Sequence, residues 1–429
     1  MDDVNVLCTD LLSVNRTLDL TDWFGLASGS KLNRAKTQAQ FYGPWTPDET
    51  AGLPLTVTQG QKILGIRFDR EGGGSQNWGD VIGKVRQRLG FWTLRGLTME
   101  GKVLIIKAVI LPLFLLICSV FMPPRRAILN LERAVFYFIW GSKWERVRRE
   151  VLKKPKEKGG KGVPDLPLFL GARFTALHLA LATSPSRNPK TTAFTRFWMG
   201  SFLRRKKFLP IDLRVPVSFN LPLFYAFIPT FLKRFNLEQE ELQVLTKHRL
   251  LISCVQEREP VSPVRGLAIG EPSQVWRNVN HPALPNRLRD LSWMVAHEVL
   301  PVRSVMHSRG LLQSATCPRP GCGAPESVRH LLWECSAAVD QWAIAGSLQF
   351  PYLPAGEVLT AQLMLYGVGL SPSAKKDFTR IWLTLAATKD AIWTSRNLLV
   401  GRHMQIPPVA VIRMAAATVR EAVAAGGGP

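Results

Sequence analysis

The chain has 429 residues, of which 46% are hydrophobic and 20% are charged, so it can bury a core in about two to four structural units. Its 55 Lys and Arg residues against 32 Asp and Glu residues give a formal net charge of +23, which excludes an acidic or charge-balanced protein. Six cysteines, three of them clustered at 317–335, exclude a disulfide framework and suit a reducing compartment.

An excess of positive charge this large repels itself unless an anionic partner screens it. We expect that partner to be RNA or DNA, with an acidic membrane surface as the second interpretation. A basic surface that serves solubility alone is the third. The first residues are acidic and lack the basic region of a secretory signal, so we expect a cytoplasmic or nuclear protein.

Strand patterns are few in this sequence. The best are VNVLC at Val4–Cys8 and KILGIRF at Lys62–Phe68, both short and rich in β-branched residues. Two adjacent carboxylates, Asp2 and Asp3, precede the first pattern, as at the tip of a hairpin whose other strand comes earlier. With so few strands, we expect a small and marginally stable α+β unit.

Apolar residues at helical spacing dominate the rest of the chain. Three stripes alternate with polar positions: Trp78, Ile82, Val85 and Leu89; Ile128, Leu131, Val135 and Phe138; and Leu288, Leu291, Val295 and Val299. We interpret each stripe as the core-facing side of an amphipathic helix.

One apolar segment, Val103–Pro124, resembles a membrane span in composition. Lys107 and Pro112 interrupt it and leave about 15 uninterrupted residues, which is short for a bilayer. We therefore predict a buried core helix that is kinked at Pro112, and no membrane association. A membrane-anchored basic protein is the alternative.

Two runs of basic residues are candidate phosphate-binding sites. They comprise Arg146, Arg148, Arg149, Lys153, Lys154, Lys156, Lys158 and Lys161, and then Arg204, Arg205, Lys206 and Lys207. A charge run is usually a solvated face, but two runs in a chain of this charge favour salt-dependent contact with RNA or DNA. Trp140 and Trp144 lie beside the first run. We expect both to pack in the core, with stacking on unpaired bases as the alternative.

The strongest chemical pattern is CPRPGCGAPESVRHLLWEC. It spaces four residues that zinc prefers as ligands: Cys317, Cys322, His330 and Cys335. His330 and Cys335 are five positions apart, so they converge on one ion only where a helix end opens. Three thiolates and an imidazole fill all four tetrahedral positions, which predicts a structural zinc ion. A reduced cysteine cluster without metal is the alternative.

Several segments resemble LINE-type non-LTR retrotransposon reverse transcriptases in the right order. The segment around the cysteines, from LSWMVAHEVL through ESVRHLLWEC to Trp342, is similar to their C-terminal zinc-binding region. Upstream, NWGDVIGKVRQRLGFWTLRGLTMEGKVLIIKAVILPLFLL and FYFIWGSKWERVRREVLKKPKEKGGKGVPDL are similar to the segments that follow the polymerase palm. The resemblance extends over most of residues 1–345.

This resemblance implies a domain order. It comprises a palm remnant at 1–70, a helical thumb-like region at 76–155, a basic, mostly helical connection at 156–270, a zinc-binding domain at 271–345 and a helical tail at 346–429. We therefore expect a mostly α fold with an α+β remnant at its N-terminus.

The resemblance also assigns Asp2 and Asp3 to the Asp-Asp turn that binds catalytic magnesium in these enzymes. A third carboxylate on an earlier strand completes that site, and no position in this sequence matches it. We expect a retrotransposon-derived fragment that binds RNA or DNA and does not polymerise by itself; magnesium would bind only if the full site were restored. A truncated gene model of a complete RNA-directed DNA polymerase is the alternative.

Overall fold

The computed structural model describes residues 4–50, 53–69, 74–183, 189–209, 216–267 and 271–425. The N-terminal part contains one long helix and four short strands. Their bounds are α1 Leu11–Ser28, β1 Gln38–Ala39, α2 Pro47–Thr50, β2 Thr56–Val57, β3 Gly60–Ile63 and β4 Ile66–Asp69. Strands β1 and β2 pair in parallel, and β3 and β4 form an antiparallel hairpin.

The remaining described residues are helical apart from loops and one isolated β-bridge. The helices are α3 Gly74–Thr93, α4 Met99–Ile105, α5 Pro112–Leu115, α6 Arg125–Trp140, α7 Arg149–Lys153, α8 Leu166–Thr183, α9 Pro189–Arg205, α10 Leu223–Arg234, α11 Leu242–Leu245, α12 His248–Arg258, α13 Pro272–Val279, α14 Asn286–Ala296, α15 Arg303–Ser308, α16 Ser336–Ser347, α17 Ala361–Tyr366, α18 Phe378–Arg402 and α19 Pro408–Ala425. Two π-helical turns, Ile106–Ile110 and His330–Glu334, and three short 3₁₀ turns, Ile117–Ser119, Lys156–Lys158 and Ala374–Asp377, complete the set. The predicted mostly α fold with a small N-terminal α+β part is confirmed.

The two strand predictions have different outcomes. KILGIRF forms parts of both β3 and β4, joined by a turn in which Leu64 and Gly65 have φ of 50° and 86°. The prediction of a strand at Val4–Cys8 is wrong, because this segment pairs with no strand in the described part of the chain and most of its apolar side chains are exposed. Without a hydrogen-bonded neighbour, β-branched residues do not form a strand.

The apolar segment around Pro112 lies in the core. The N–H of Leu111 donates to the carbonyl of Ile106 at 3.0 Å, and this π-helical spacing widens the turn just before Pro112. Since proline has no N–H and clashes with the preceding turn, a wide turn is one way to continue the helix. Ile106, Ile110 and Phe114 have no exposed surface, so the predicted buried helix is confirmed.

One described helix, α8, is long and apolar enough to cross a membrane by length and hydropathy. However, 61% of it is buried inside the protein. It forms the centre of a separate apolar cluster with α9, α10 and α12, whose members include Phe174, Phe202 and Phe231. Core packing therefore explains its composition.

A second, larger core joins distant parts of the sequence. It includes Trp78 of α3, Leu131 of α6, Trp293 of α14 and Trp382 of α18. Helix α18 is almost completely buried from Ile381 to Ile392. The C-terminal helices therefore pack in the same core as the predicted thumb-like region and the cysteine–histidine segment.

Candidate metal centre and basic surfaces

His330 and Cys335 lie on one wide turn. Residues His330–Glu334 form the second π-helical turn, and the N–H of Cys335 donates to the carbonyl oxygen of His330 at 2.8 Å. A hydrogen bond over five residues places both side chains on the same side of the backbone. Cys335 then begins α16 as its N-terminal flanking residue.

The other two thiols come from a tight loop. An isolated bridge between Thr316 and Pro325 closes this loop, and the N–H of Cys317 donates to the carbonyl of Ala324 at 2.7 Å. Gly321 lies inside it with φ of 74°, a left-handed conformation that favours glycine. The loop thereby brings Cys317 and Cys322 next to the wide turn.

The four ligand atoms form a compact cluster, all within 4.8 Å of one another. The Sγ of Cys335 is 4.0 Å from that of Cys317 and 4.0 Å from that of Cys322, and the Sγ of Cys322 is 3.3 Å from the Nε2 of His330. Ligands at the usual zinc bond lengths would be about 3.5–3.8 Å apart. The residues therefore fit a tetrahedral zinc ion with no position left for water or substrate.

Burial raises the pKa of the Cys317 thiol to about 12, so this thiol needs a nearby cation to become a thiolate at neutral pH. A hydrogen bond from the Ala324 backbone lowers the pKa of Cys322. A zinc ion would supply the missing charge and displace the protons. When bound, it would connect the loop to the wide turn and stabilise both.

A buried ion pair fixes the cysteine loop to α18. Arg396 donates from Nε and NH2 to the two carboxylate oxygens of Glu326 at 2.8 and 2.7 Å, and Glu326 has no exposed surface. The same carboxylate accepts the backbone N–H of Arg303 at 2.7 Å. Next to the thiols, Arg319 donates to the hydroxyl of Ser395 at 3.1 Å.

Sequence reasoning missed these supporting residues. Glu326 lies in a short polar loop, and Arg396 follows an apolar run near the C-terminus. Their separation of 70 positions hides the pair. The available clue is the presence of Lys389, Asp390 and Arg396 in an otherwise apolar segment, since charged residues in a buried helix require partners.

The first basic run is largely engaged in internal contacts. Lys161 is fully buried, with Nζ 2.7 Å from Asp290 and 3.3 Å from Glu100. Lys153 pairs with Glu132 and Asp165. A phosphate cannot reach Lys161, so its predicted nucleic-acid role is wrong, and the ion pairs of Lys153 compete directly with any phosphate.

Other lysines of this run hold the glycine-rich loop between α7 and α8, which contains Gly159, Gly160 and Gly162, against α12. Lys158 donates to the carbonyls of Gln256, Glu257 and Glu259. Lys154 donates to Pro260 at 2.7 Å. Both amines are occupied by backbone oxygens, so these residues serve as structural connectors.

The remaining cations of the first run differ in exposure. Lys156 pairs with Glu100, and Arg149 forms a bidentate pair with Glu145. Arg146 is partly buried above Trp140, whereas Arg148 is exposed. Trp140 is partly buried, but Trp144, which we expect in the core, is 56% exposed, because it lies in a surface turn between α6 and α7.

The second run lies at the end of α9. Arg204, Arg205 and Lys207 are exposed, and Lys206 donates to the carbonyl of Glu238 at 3.1 Å.

The predicted catalytic carboxylates Asp2 and Asp3 lie outside the described residues.

A further basic surface is a groove between α3 and α6, with a volume of about 610 Å³. We call it the thumb groove. Arg86 and Gly90 line it from α3, Arg133 and Tyr137 from α6, and Lys143 from the following turn. Glu145 and its partner Arg149 also line the groove, and Arg149 belongs to the first predicted run. The sequence prediction missed Arg86 and Arg133, because they lie on two helices and outside any run.

Residues 267–342 match a family model described as zinc-binding in reverse transcriptase. All four candidate ligands lie inside this match. In addition, the chain is 28% identical over 171 residues to a Xenopus laevis protein named transposon TX1 uncharacterized 149 kDa protein. The alignment covers 38% of this chain and 13% of that protein. These matches confirm the resemblance to a retrotransposon reverse transcriptase.

Proposed function

We propose that this chain binds RNA or DNA through the thumb groove, while the zinc-binding domain acts as a structural element of the same core. The observation that carries the proposal is the set of unpaired cations in the groove. Arg86, Arg133 and Lys143 are exposed, and none forms an ion pair within the described residues. Cations without carboxylate partners are available to phosphates.

The groove also offers a surface for a base or sugar. Tyr137 lines it and is 52% exposed, so its ring can contact a nucleotide. Gly90 presents no side chain, and a Cβ at this position would meet no atom within 4 Å. A phosphate backbone can therefore approach α3 closely at this point.

The basic surface continues along α6. Arg126 precedes Asn130 and Arg133 by four and seven positions, so the three share one side of the helix. Arg126 is exposed and is unpaired among the described residues. A line of cations along a groove follows a nucleic-acid backbone, whereas a membrane surface is contacted by a flat or convex apolar face.

The experiment measures binding of fluorescent single-stranded and duplex oligonucleotides by anisotropy between about 50 and 200 mM salt. We expect affinity to fall steeply with salt. Replacing both Arg86→Gln and Arg133→Gln should reduce the slope of log affinity against log salt by about 1.4–1.8.

The matched control is Arg413→Gln with Arg420→Gln. These two arginines are exposed on α19, and their replacement removes the same charge far along the sequence from the groove. If the slope of log affinity against log salt is the same for the two double variants, the thumb groove is not the binding site. Absence of binding to every oligonucleotide at the lowest salt would refute the proposed function itself.

A further inference from the structure

A second groove lies where α4, α6, α14 and α18 meet, with a volume of about 780 Å³. We call it the junction groove. It is lined from α14 by residues at helical spacing that include Asp290 and Met294, and from α18 by Trp393, Asn397 and Arg402. A groove of this size holds a drug-sized ligand. Of the residues that the sequence analysis considered for contact with RNA or DNA, Arg146 and Trp140 line it.

Two indole rings line this groove from different helices. Trp140 ends α6, and Trp393 lies in the middle of α18. Both are partly buried. The Nε1 of Trp140 is buried and has no hydrogen-bond partner in the described part of the chain. An unsatisfied buried donor costs free energy, and this N–H reaches a bound acceptor only if the side chains around it move aside.

The groove also has cations available to an anion. Arg146 lies above the Trp140 ring, 5.6 Å from its centroid, and its NH1 donates to the thioether of Met294, a weak acceptor, at 3.2 Å. Burial lowers the pKa of the Arg146 guanidinium, so a bound anion would offset its desolvation. Arg402 is exposed at the end of α18.

The two carboxylates in the groove are already paired. Asp290 accepts from Lys161 and from the backbone N–H of Met99, both at 2.7 Å. Asp390 pairs with Arg287 at 3.0 Å. These pairs neutralise the carboxylates, and the positive charge of Arg146 and Arg402 remains in excess.

We propose that the junction groove binds one unpaired nucleotide of a single-stranded RNA or DNA. Its base stacks on Trp140 or Trp393, its phosphates contact Arg146 and Arg402, and Asn397 offers its amide N–H to the base edge, since its Oδ1 accepts from Arg396 at 3.3 Å. This inference rests on the proposed function. It adds a site that selects single strands, since a base pair does not stack flat on a ring at the bottom of a groove.

The chemistry favours a nucleotide over an acidic peptide. A carboxylate side chain would satisfy the arginines but would add no stacking to either indole ring. Each ring already has a guanidinium over one face, Arg146 over Trp140 and Arg396 over Trp393, so a base would stack on the opposite face. A nucleotide offers the arginines its phosphate and also stacks its base on an indole ring. Stacking on one aromatic ring is sufficient to change single-strand affinity by roughly tenfold.

The experiment uses the full chain and an oligonucleotide of about twelve residues that carries one 5-iodouridine. Irradiation cross-links iodouracil to an adjacent aromatic side chain, and mass spectrometry locates the bond. We expect the cross-link at Trp140 or Trp393. Cross-links located only outside the junction groove would overturn the inference.

Two glycines provide matched blocking variants. A Cβ at Gly401, which lines the junction groove, and a Cβ at Gly90, which lines the thumb groove, would each meet no atom within 4 Å, so both variants should fold. Gly401→Phe should lower single-strand affinity about tenfold and leave duplex affinity unchanged. Gly90→Phe should weaken binding of both and leave the cross-link at the same residues.

The possible failures are distinguishable. If Gly401→Phe binds single strands as tightly as the unmodified chain, the junction groove is not the site, while salt-dependent binding through the thumb groove stands. A second failure has two parts: the chain binds an oligoglutamate peptide and Gly401→Phe abolishes this binding, and the chain binds single strands no more tightly than duplexes. In that case the junction groove is a peptide site and the inference is wrong. Absence of binding to any oligonucleotide overturns both proposals.

Discussion

The backbone N–H of Cys335 donates to the carbonyl oxygen of His330 at 2.8 Å, five positions earlier in the chain. An ordinary α-helical turn would join residues four apart and would leave the two side chains out of line. The wider turn aligns both with the thiols of Cys317 and Cys322. The local backbone is therefore arranged around a four-ligand site, which a metal ion would stabilise.

The first prediction concerns this site. The purified chain should contain about one zinc ion, and Cys317→Ser or Cys335→Ser should reduce the zinc content to near zero and lower the midpoint of thermal unfolding. Elemental analysis and calorimetry measure the two effects. Cys254→Ser is the control, because Cys254 lies outside the cluster. A metal-free chain with an unchanged midpoint would refute the zinc assignment.

The second prediction concerns the buried pair between Glu326 and Arg396. Glu326→Gln leaves a guanidinium in the core without its counter-charge, so the free energy of unfolding should fall by about 3–5 kcal/mol. Urea denaturation measures this change. The control is Glu298→Gln, which removes the exposed pair with Arg265 and should cost less than about 1 kcal/mol. Similar losses for both variants would show that the buried pair contributes no more than a surface pair.

The third prediction concerns the glycine-rich loop between α7 and α8. A Cβ on Gly160 would lie 1.8 Å from the carbonyl oxygen of Lys154, and a backbone atom cannot move aside as a side chain can. Gly160→Ala should therefore lower the free energy of unfolding by about 1–3 kcal/mol or more. Gly346→Ala, at an exposed helical position with open space, should be neutral or stabilising. A stable Gly160→Ala variant would mean that the loop is held less tightly than its hydrogen bonds indicate.

The fourth prediction concerns Lys389, which has no exposed surface. Its Nζ donates to the carbonyl of Leu365 at 3.1 Å and lies 4.1 Å from the Trp382 ring centroid, and burial lowers its pKa to about 7. The unfolded lysine, with its ordinary pKa of 10.5, binds a proton that the folded one releases above pH 7. Stability from this group therefore rises with pH between these two values.

Lys389→Met removes this dependence. It should raise the free energy of unfolding by about 1 kcal/mol or more near pH 7, and its advantage should shrink toward pH 10. Denaturation series at several pH values measure the difference. The exposed Lys376→Met is the control and should show no such trend. A constant difference across the range would mean that Lys389 keeps its charge in the folded protein.

Short-range patterns in the sequence predicted the features that depend on nearby residues. The four candidate zinc ligands lie within 19 positions, and the stripe of Trp78, Val85 and Leu89 is buried on α3 as its spacing indicates. The β3–β4 hairpin also depends on a local turn. These features need no knowledge of the rest of the chain.

Other features depend on contacts between distant residues. Lys161 belongs to a basic run by composition, but its partner Asp290 is 129 positions away, so composition could not show that it is buried. The same holds for the thumb groove and the junction groove, whose linings come from separate helices. Helix α18 carries Lys389, Asp390 and Arg396 in a largely apolar stretch, and each contacts a different element, which the sequence alone does not identify.

The larger core has a consequence for how this sequence could be divided. The matched segment 267–342 shares its apolar interior with α3 and α6 on one side and with α18 and α19 on the other. Excised alone, it would expose Trp293 and leave Glu326 without Arg396. The matched segment is therefore part of a larger folding unit and is not an independent domain. A gene fragment that encodes it would need to include the flanking helices for the product to fold.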